Sequence, residues 1–126
     1  MNPEMIELAK RVVACKGWRW MPGMLAVPTE GMVTAPLRLM DDRDWPHDLG
    51  LRLPDLTDPA TLGCLLALVR EAWGAPRALV RLSSNGKSFH VFDVDRVTVG
   101  GNWAAWLSDD RCPTEAHALV AALEAK

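Results

Sequence analysis

The chain carries its clearest structural signal in the stretch DPATLGCLLALVREAWG, residues 58–74. Asp58 is a good N-cap, Pro59 suits the first helical position, and Gly74 is a natural stop after the last turn. Leucine and valine recur at helical spacing between these signals, and further apolar residues fall outside that stripe. The stretch therefore predicts a helix that is deeply buried or that meets a second surface.

Two more helices are predicted near the ends of the chain. The first runs from Pro3 to Lys16, with Asn2 as its N-cap and Gly17 as its C-terminal stop. The last opens at the sequence PTE, residues 113–115, where Thr114 is the expected cap.

Apolar runs separated by turn residues predict strands between these helices. Asn85-Gly86, between the apolar runs 77–82 and 88–94, is the strongest hairpin signal in the chain. The acidic and proline-containing stretch 41–58 reads as a long surface loop. Further strands are expected at Trp18–Met21, Met24–Val27, Met32–Met40 (interrupted by Pro36) and Trp103–Leu107.

The resulting order, α-β-β-(β)-α-β-β-β-α, predicts an α+β fold with a mostly antiparallel sheet of about five to six strands flanked by three helices. The 126 residues are 49% hydrophobic and 24% charged, which are values typical of one globular domain over residues 1–126.

Composition also narrows the function classes. The net charge is −2, so no basic excess favours direct binding to nucleic acid or to an anionic membrane. The longest apolar stretch, 62–69, is too short to span a bilayer. The three cysteines, Cys15, Cys64 and Cys112, are odd in number and widely spaced, which argues against a disulfide framework and a zinc knuckle. These features predict a cytoplasmic protein with no cofactor.

The most distinctive polar segment is DDRDWPHD, residues 41–48. Hard cations bind such carboxylate-rich loops, but the segment lacks the glycine and the closing glutamate of an EF-hand. A solvated acidic loop that contacts a partner is therefore favoured over a metal site. Its candidate partner-binding residues are Asp41, Asp42, Asp44, Trp45, His47 and Asp48.

No pattern in the chain points to catalysis. A cysteine could pair with a histidine as nucleophile and base, but no cysteine lies in a recognisable nucleophile turn. The histidines are His47, His90 and His117. There is also no glycine-rich phosphate loop. The sequence therefore predicts no catalytic residue and no enzyme activity.

Six tryptophans without a single tyrosine are unusual in a chain of this length. Trp18 and Trp20 share one face of the predicted strand, with Arg19 on the other. Aromatic residues near arginine can stack on bases, but the negative net charge favours core packing or protein-interface anchors.

Three segments of the chain carry a resemblance to a known group of proteins: ACKGWRWMPGM (14–24), LPDLTDPATLGCLLALVREAWG (53–74) and PTEAHALVAALEA (113–125). They resemble small proteins encoded by phages and prophages of proteobacteria, the "phage ABA sandwich" domain group. The resemblance covers roughly half of the chain, and it implies helices that flank a sheet. It carries over no activity and no site residue.

What the resemblance implies is a protein that acts by binding. The expected function is therefore a non-catalytic phage or prophage accessory protein that inhibits a host or defence protein, such as a CRISPR–Cas component. Its acidic loop would mimic nucleic-acid phosphates in a basic groove. Two alternatives stay open: a small metal-dependent hydrolase that uses residues 41–48, and a structural protein that self-assembles, for example as a homodimer.

Overall fold

The computed structural model describes residues 2–29, 31, 34–41, 45–96, 106–108 and 111–126. These residues contain three α-helices: α1 over Pro3–Val13, α2 over Pro59–Trp73 and α3 over Glu115–Glu124. The strands are β1 (Leu25–Pro28), β2 (Leu37–Arg38), β3 (Arg52–Pro54), β4 (Leu79–Leu82) and β5 (Phe89–Phe92). No helix within the described residues is both long and apolar enough to cross a lipid bilayer.

The α+β class, the three helices and the antiparallel pairing are confirmed, but the expected sheet of five to six strands is wrong. The described strands form two small antiparallel sheets, one in the order β2-β1-β3 and one pairing β4 with β5. Proline explains part of the difference, because it cannot donate to a ladder: Pro28 is the last residue of β1, and Pro36 directly precedes β2. The predicted strand residues Met32, Val33 and 103–105 lie outside the described residues.

The helix caps follow the sequence signals closely. The side chain of Asn2 accepts a hydrogen bond from the backbone N–H of Met5, and Asp58 and Thr114 accept equivalent bonds from Thr61 and His117. Gly74 ends α2 in the left-handed conformation, with φ of 59°.

Gly17 was expected to stop α1, but this prediction is wrong: α1 ends at Val13, and Ala14 caps it in a right-handed conformation. Gly17 instead allows close packing between segments of the chain. A Cβ atom there would lie 2.9 Å from Leu123 Cδ1 and 3.4 Å from Ala72 Cβ, so glycine lets the chain pass close to α2 and α3.

Helix α3, and not α2, is the most enclosed helix of the fold. It contacts α1, α2, β4 and β5. Its alanines let these neighbours approach closely, since a methyl group leaves little to separate two backbones. The buried residues of α3 are Ala116, Ala118, Leu119, Val120, Ala122 and Leu123. They join residues such as Leu8, Leu65 and Val91 in one hydrophobic core.

The hairpin of β4 and β5 confirms the Asn85-Gly86 signal, although the loop is longer than two residues. Ser83 N donates to Ser88 O, and Gly86 N donates to Ser83 O. Within this loop Gly86 takes a positive φ, of 71°, whereas Asn85 does not, since every described residue with a positive φ is a glycine.

The stretch 41–58 is not a simple loop, because it contains a strand. A short 3-10 helix over Leu49–Leu51 leads into β3, whose residues are all buried. β3 pairs with β1 so that Leu53 lies opposite Val27. The expectation of a structureless segment is therefore wrong for residues 49–54.

Candidate functional site

Three tryptophans from two distant parts of the chain line one surface cleft of about 600 Å³. Trp18 and Trp20 come from the segment after α1, and Trp45 comes from the acidic loop. The remaining wall residues are Arg19, Met21 and Pro22. We call this feature the tryptophan cleft.

A tight turn fixes the first wall of the tryptophan cleft. Met24 N donates to Met21 O across Pro22 and Gly23, and Gly23 has a φ of 98°. Proline followed by a residue of positive φ is the pattern of a type II turn. Gly23 N also donates to Leu39 O, which ties the turn to the segment beside β2.

The segment Trp18–Met21 has no regular secondary structure, so it is not the strand that its sequence predicted. Within the described residues, no hydrogen bond joins the N–H of Arg19, Trp20 or Met21 to another protein group, and none reaches the carbonyls of Trp18, Arg19 or Trp20. The turn at Met21 redirects the chain before a ladder can form. The backbone along this wall therefore keeps free hydrogen-bonding capacity.

The rings of Trp18 and Trp20 meet edge to face, with centroids 5.4 Å apart and planes at 72°. This contact agrees with the prediction that they lie on one face. Arg19, between them, also lines the cleft, and its Nη1 donates to Glu71 Oε2 at 2.6 Å. That ion pair attaches the wall to α2.

Trp45 also lines the tryptophan cleft and packs against the hydrophobic core. Its indole Nε1 is buried, and among the described residues it has no hydrogen-bond partner. A buried donor without a partner carries a desolvation cost, so this N–H lowers the stability of the fold.

The other predicted site residues have different surroundings. Asp41 and His47 are exposed. Asp48 is half-buried and forms a bidentate ion pair with Arg52, in which Nε lies 3.1 Å from Oδ1 and Nη2 lies 3.4 Å from Oδ2. The negative charge of Asp48 is therefore balanced by Arg52 within the protein. Asp42 and Asp44 lie outside the described residues.

The structure brings together two features that the sequence offered separately, namely the tryptophan segment and the acidic loop. Sequence reasoning missed Arg19, Met21 and Pro22 as wall residues of a common site. No local signal could have found the contact, because more than twenty positions separate Trp20 from Trp45.

A larger cavity, of about 750 Å³, lies between α1 and the sheet of β1 and β3. Its walls are mostly aliphatic or proline, with Lys10 and Asp55 as the charged members. Lys10 already pairs with Glu7 at 3.3 Å, and Asp55 Oδ1 accepts bonds from Thr57 N and Oγ1. We therefore place the candidate site at the tryptophan cleft, where aromatic faces are only partly covered and backbone groups are free.

The cysteines are poorly suited to nucleophilic catalysis. Burial raises the pKa of the Cys15 thiol and of the Cys64 thiol, which leaves less of the reactive thiolate at neutral pH. The Cys15 thiol donates to Arg11 O, and the Cys64 thiol donates to Pro22 O. Cys112 is buried beside Phe89 in a backbone bridge.

Two histidines are held by neighbouring side chains. His90 is buried, Arg81 Nε donates to its Nε2 at 3.2 Å, and Trp106 stacks on it at 4.9 Å. In the part of the chain that the structure describes, no three His, Cys, Asp or Glu side chains are grouped so that they could hold a metal ion.

A chain of polar contacts joins the first and last helices. His117 Nδ1 lies 2.6 Å from Thr114 Oγ1, and His117 Nε2 lies 3.0 Å from Glu4 Oε1. A hydroxyl, an imidazole and a carboxylate also make up a nucleophilic triad. Here, however, Thr114 Oγ1 already accepts the N–H of His117 as the N-cap of α3, so the chain serves to hold α1 against α3.

Thr114→Ala is expected to lower the free energy of unfolding by about 1 to 2 kcal/mol, because it removes an N-cap and a partner of His117. Glu4→Gln should change it by less than about 0.5 kcal/mol, since Glu4 is exposed and water screens the pair. Urea unfolding followed by circular dichroism measures both values. Equal stability of Thr114→Ala and the unchanged protein would contradict this account.

Comparisons with known proteins found no relative of this chain. No protein-family model, no curated protein and no solved structure matches the chain. The case for function therefore stands on the chemistry of the tryptophan cleft.

Proposed function

We propose that this protein is a non-catalytic binding module that attaches to another protein through the tryptophan cleft. The observation that carries the proposal is the meeting of Trp18, Trp20 and Trp45, all partly exposed, in one concave surface. Tryptophan is enriched among residues that dominate the free energy of protein association, because a large rigid ring buries much area at little entropic cost.

The partner we propose is a host or defence protein of a bacterium, inhibited by occupation of its functional surface. The resemblance of segments 14–24, 53–74 and 113–125 to the phage ABA sandwich group supports a phage or prophage setting. The acidic sequence around Trp45 supports a basic partner surface, such as a groove that otherwise holds nucleic-acid phosphates.

A pull-down from lysate of the bacterial host, read by mass spectrometry, tests this proposal when it includes matched variants. We expect one stoichiometric partner with the unchanged protein. Trp18→Ala and Trp45→Ala should each weaken its binding by about tenfold or more, because hot-spot tryptophans contribute on that scale.

Trp73→Phe is the matched control. Trp73 is also half-buried, but its Nε1 donates to Ala122 O at 2.8 Å and it does not line the cleft. This variant should keep full binding. A partner that binds all three variants equally well would exclude the tryptophan cleft as the binding surface.

The acidic loop has a test of its own. Reversing the charge at Asp41, Asp42 and Asp44 together should weaken binding to a basic partner and reduce its salt dependence. Unchanged binding would rule out phosphate mimicry while leaving the tryptophan cleft in place.

A further inference from the structure

We infer that the tryptophan cleft receives an arginine side chain of the partner protein. The inference rests on the proposed function and names the chemical group that the cleft selects. It follows from three observations: the arrangement of the rings, the free backbone carbonyls beside them, and the local balance of charge.

The rings offer the right kind of surface for a planar cation. Trp18 and Trp20 stand at 72° to each other, so together they form a corner. The face of an indole carries negative charge density, and tryptophan is the aromatic residue that attracts cations most strongly. Arginine is favoured over lysine here, because a flat guanidinium stacks on a ring while an ammonium does not.

The backbone beside the rings supplies acceptors. The carbonyl oxygens of Trp18, Arg19 and Trp20 accept no hydrogen bond from any described group of the protein. A guanidinium has five N–H donors and no acceptor, so it needs oxygens around its edge when a ring covers its face. The segment Trp18–Trp20 carries both two indole rings and carbonyls without a described donor, so it meets both requirements.

The charge of the site also favours a cation. Arg19, the basic residue in the cleft wall, is paired with Glu71 at 2.6 Å, so it repels an incoming cation less than a free arginine does. Of the acidic residues near Trp45 in the sequence, Asp48 is already paired with Arg52, and Asp41 is exposed. Among the wall residues that the structure describes, in contrast, an anionic ligand finds no unpaired cation, since Arg19 is paired with Glu71.

A matched pair of peptides tests the inference: an acetylated and amidated glycine–arginine repeat, and the same repeat with citrulline in place of arginine. Citrulline has nearly the same shape as arginine, but it is neutral. Binding to the full-length protein is followed by tryptophan fluorescence and by calorimetry. We expect the arginine peptide to bind about tenfold more tightly than the citrulline peptide, and a lysine repeat to fall between them.

Protein variants locate the binding. Trp18→Ala and Trp20→Ala should each reduce affinity for the arginine peptide by about tenfold, while Trp73→Phe should leave it unchanged. Circular dichroism checks that each variant is folded, and Trp18→Phe, with a smaller ring, should show an intermediate loss. Asp41→Asn should reduce affinity less than the tryptophan variants do.

Two outcomes would overturn the inference: equal affinity for the arginine and citrulline peptides, or no detectable binding of either peptide at millimolar concentration. Its failure differs from failure of the proposed function. If the pull-down partner still depends on Trp18 and Trp45 while the peptides show no preference, the binding module stands and arginine is excluded. If no partner depends on these residues, the proposed function itself is wrong.

Discussion

Arg52→Met is expected to lower the free energy of unfolding by about 3 kcal/mol or more, the largest effect of any single change considered. The guanidinium of Arg52 is buried and donates to Asp48, to the carbonyls of Ala26 and Ala35, and to Thr34 Oγ1. Methionine fills much of the same space but offers no donor. The change leaves a partly buried carboxylate without its charged partner and removes the donors to Ala26 O, Ala35 O and Thr34 Oγ1, and breaking a buried pair in this way is strongly destabilising.

The measurement is urea unfolding at neutral pH, followed by tryptophan fluorescence and circular dichroism. Arg77→Met is the control, because its ion pair with Asp95 lies on the surface and should contribute less than about 0.5 kcal/mol. If Arg52→Met were no more destabilising than this control, the buried network would be energetically neutral.

Asp58→Ala is expected to cost about 2 kcal/mol and to change how stability depends on pH. Asp58 caps α2 through the N–H of Thr61 and pairs with Arg38, whose Nη2 donates to it at 2.9 Å. The hydrogen bond from Arg38, assisted by those from Thr61, lowers the pKa of the Asp58 carboxyl to about 2. Loss of an N-cap alone costs about 0.5 to 2 kcal/mol.

The sign of the pH effect follows from that lowered pKa. Because the folded carboxyl titrates at about 2 and the ordinary value is 3.8, the unfolded chain binds more protons between these pH values. The stabilisation is thus fully present above about pH 4 and is lost as the pH falls towards 2. Since Arg38 is partly exposed, we expect about 1 to 2 kcal/mol from this source.

Asp58→Asn separates the two contributions of Asp58. Asparagine is also a good N-cap, so this variant should keep most of the cap and lose the charge. Between pH 2 and 6, the free energy of unfolding should fall less steeply on acidification for Asp58→Asn than for the unchanged protein. Parallel curves would show that the Arg38 pair does not persist in solution.

The parts of the fold that the sequence predicted well are those with local causes. The caps at Asn2, Asp58 and Thr114 act within one helical turn, and the Asn85-Gly86 turn acts within one hairpin. Each needs only a short stretch of chain to take effect, so its pattern is visible in the residues themselves.

The failures had distant causes. β3 begins with Arg52, a charged residue that pattern reasoning places on the surface. It is buried only because Thr34, Ala35 and Asp48 surround its side chain. Likewise, Trp18–Met21 has the composition of a strand but lacks a neighbouring strand among the described residues. Both outcomes depend on which segments meet in space.

The candidate site was predictable in composition but not in arrangement. Trp45 was expected to contact a partner as a member of the acidic loop, and it remains a candidate for that role. Asp48, from the same loop, holds Arg52 instead of facing outward alone. The spacing of residues 41–48 does not show which residue lines the cleft and which pairs internally, because Arg52 comes from the following strand.

The network around Arg52 also bears on how fast the protein can recognise a partner. It fastens the end of the acidic loop to β1 and to residues 34 and 35 before any partner arrives. Under the proposed function, a loop end that is held in this way needs little rearrangement when a partner binds, so we expect diffusion and electrostatic attraction to set the rate of association. Differences in affinity among partners should then arise chiefly from how long each complex lasts.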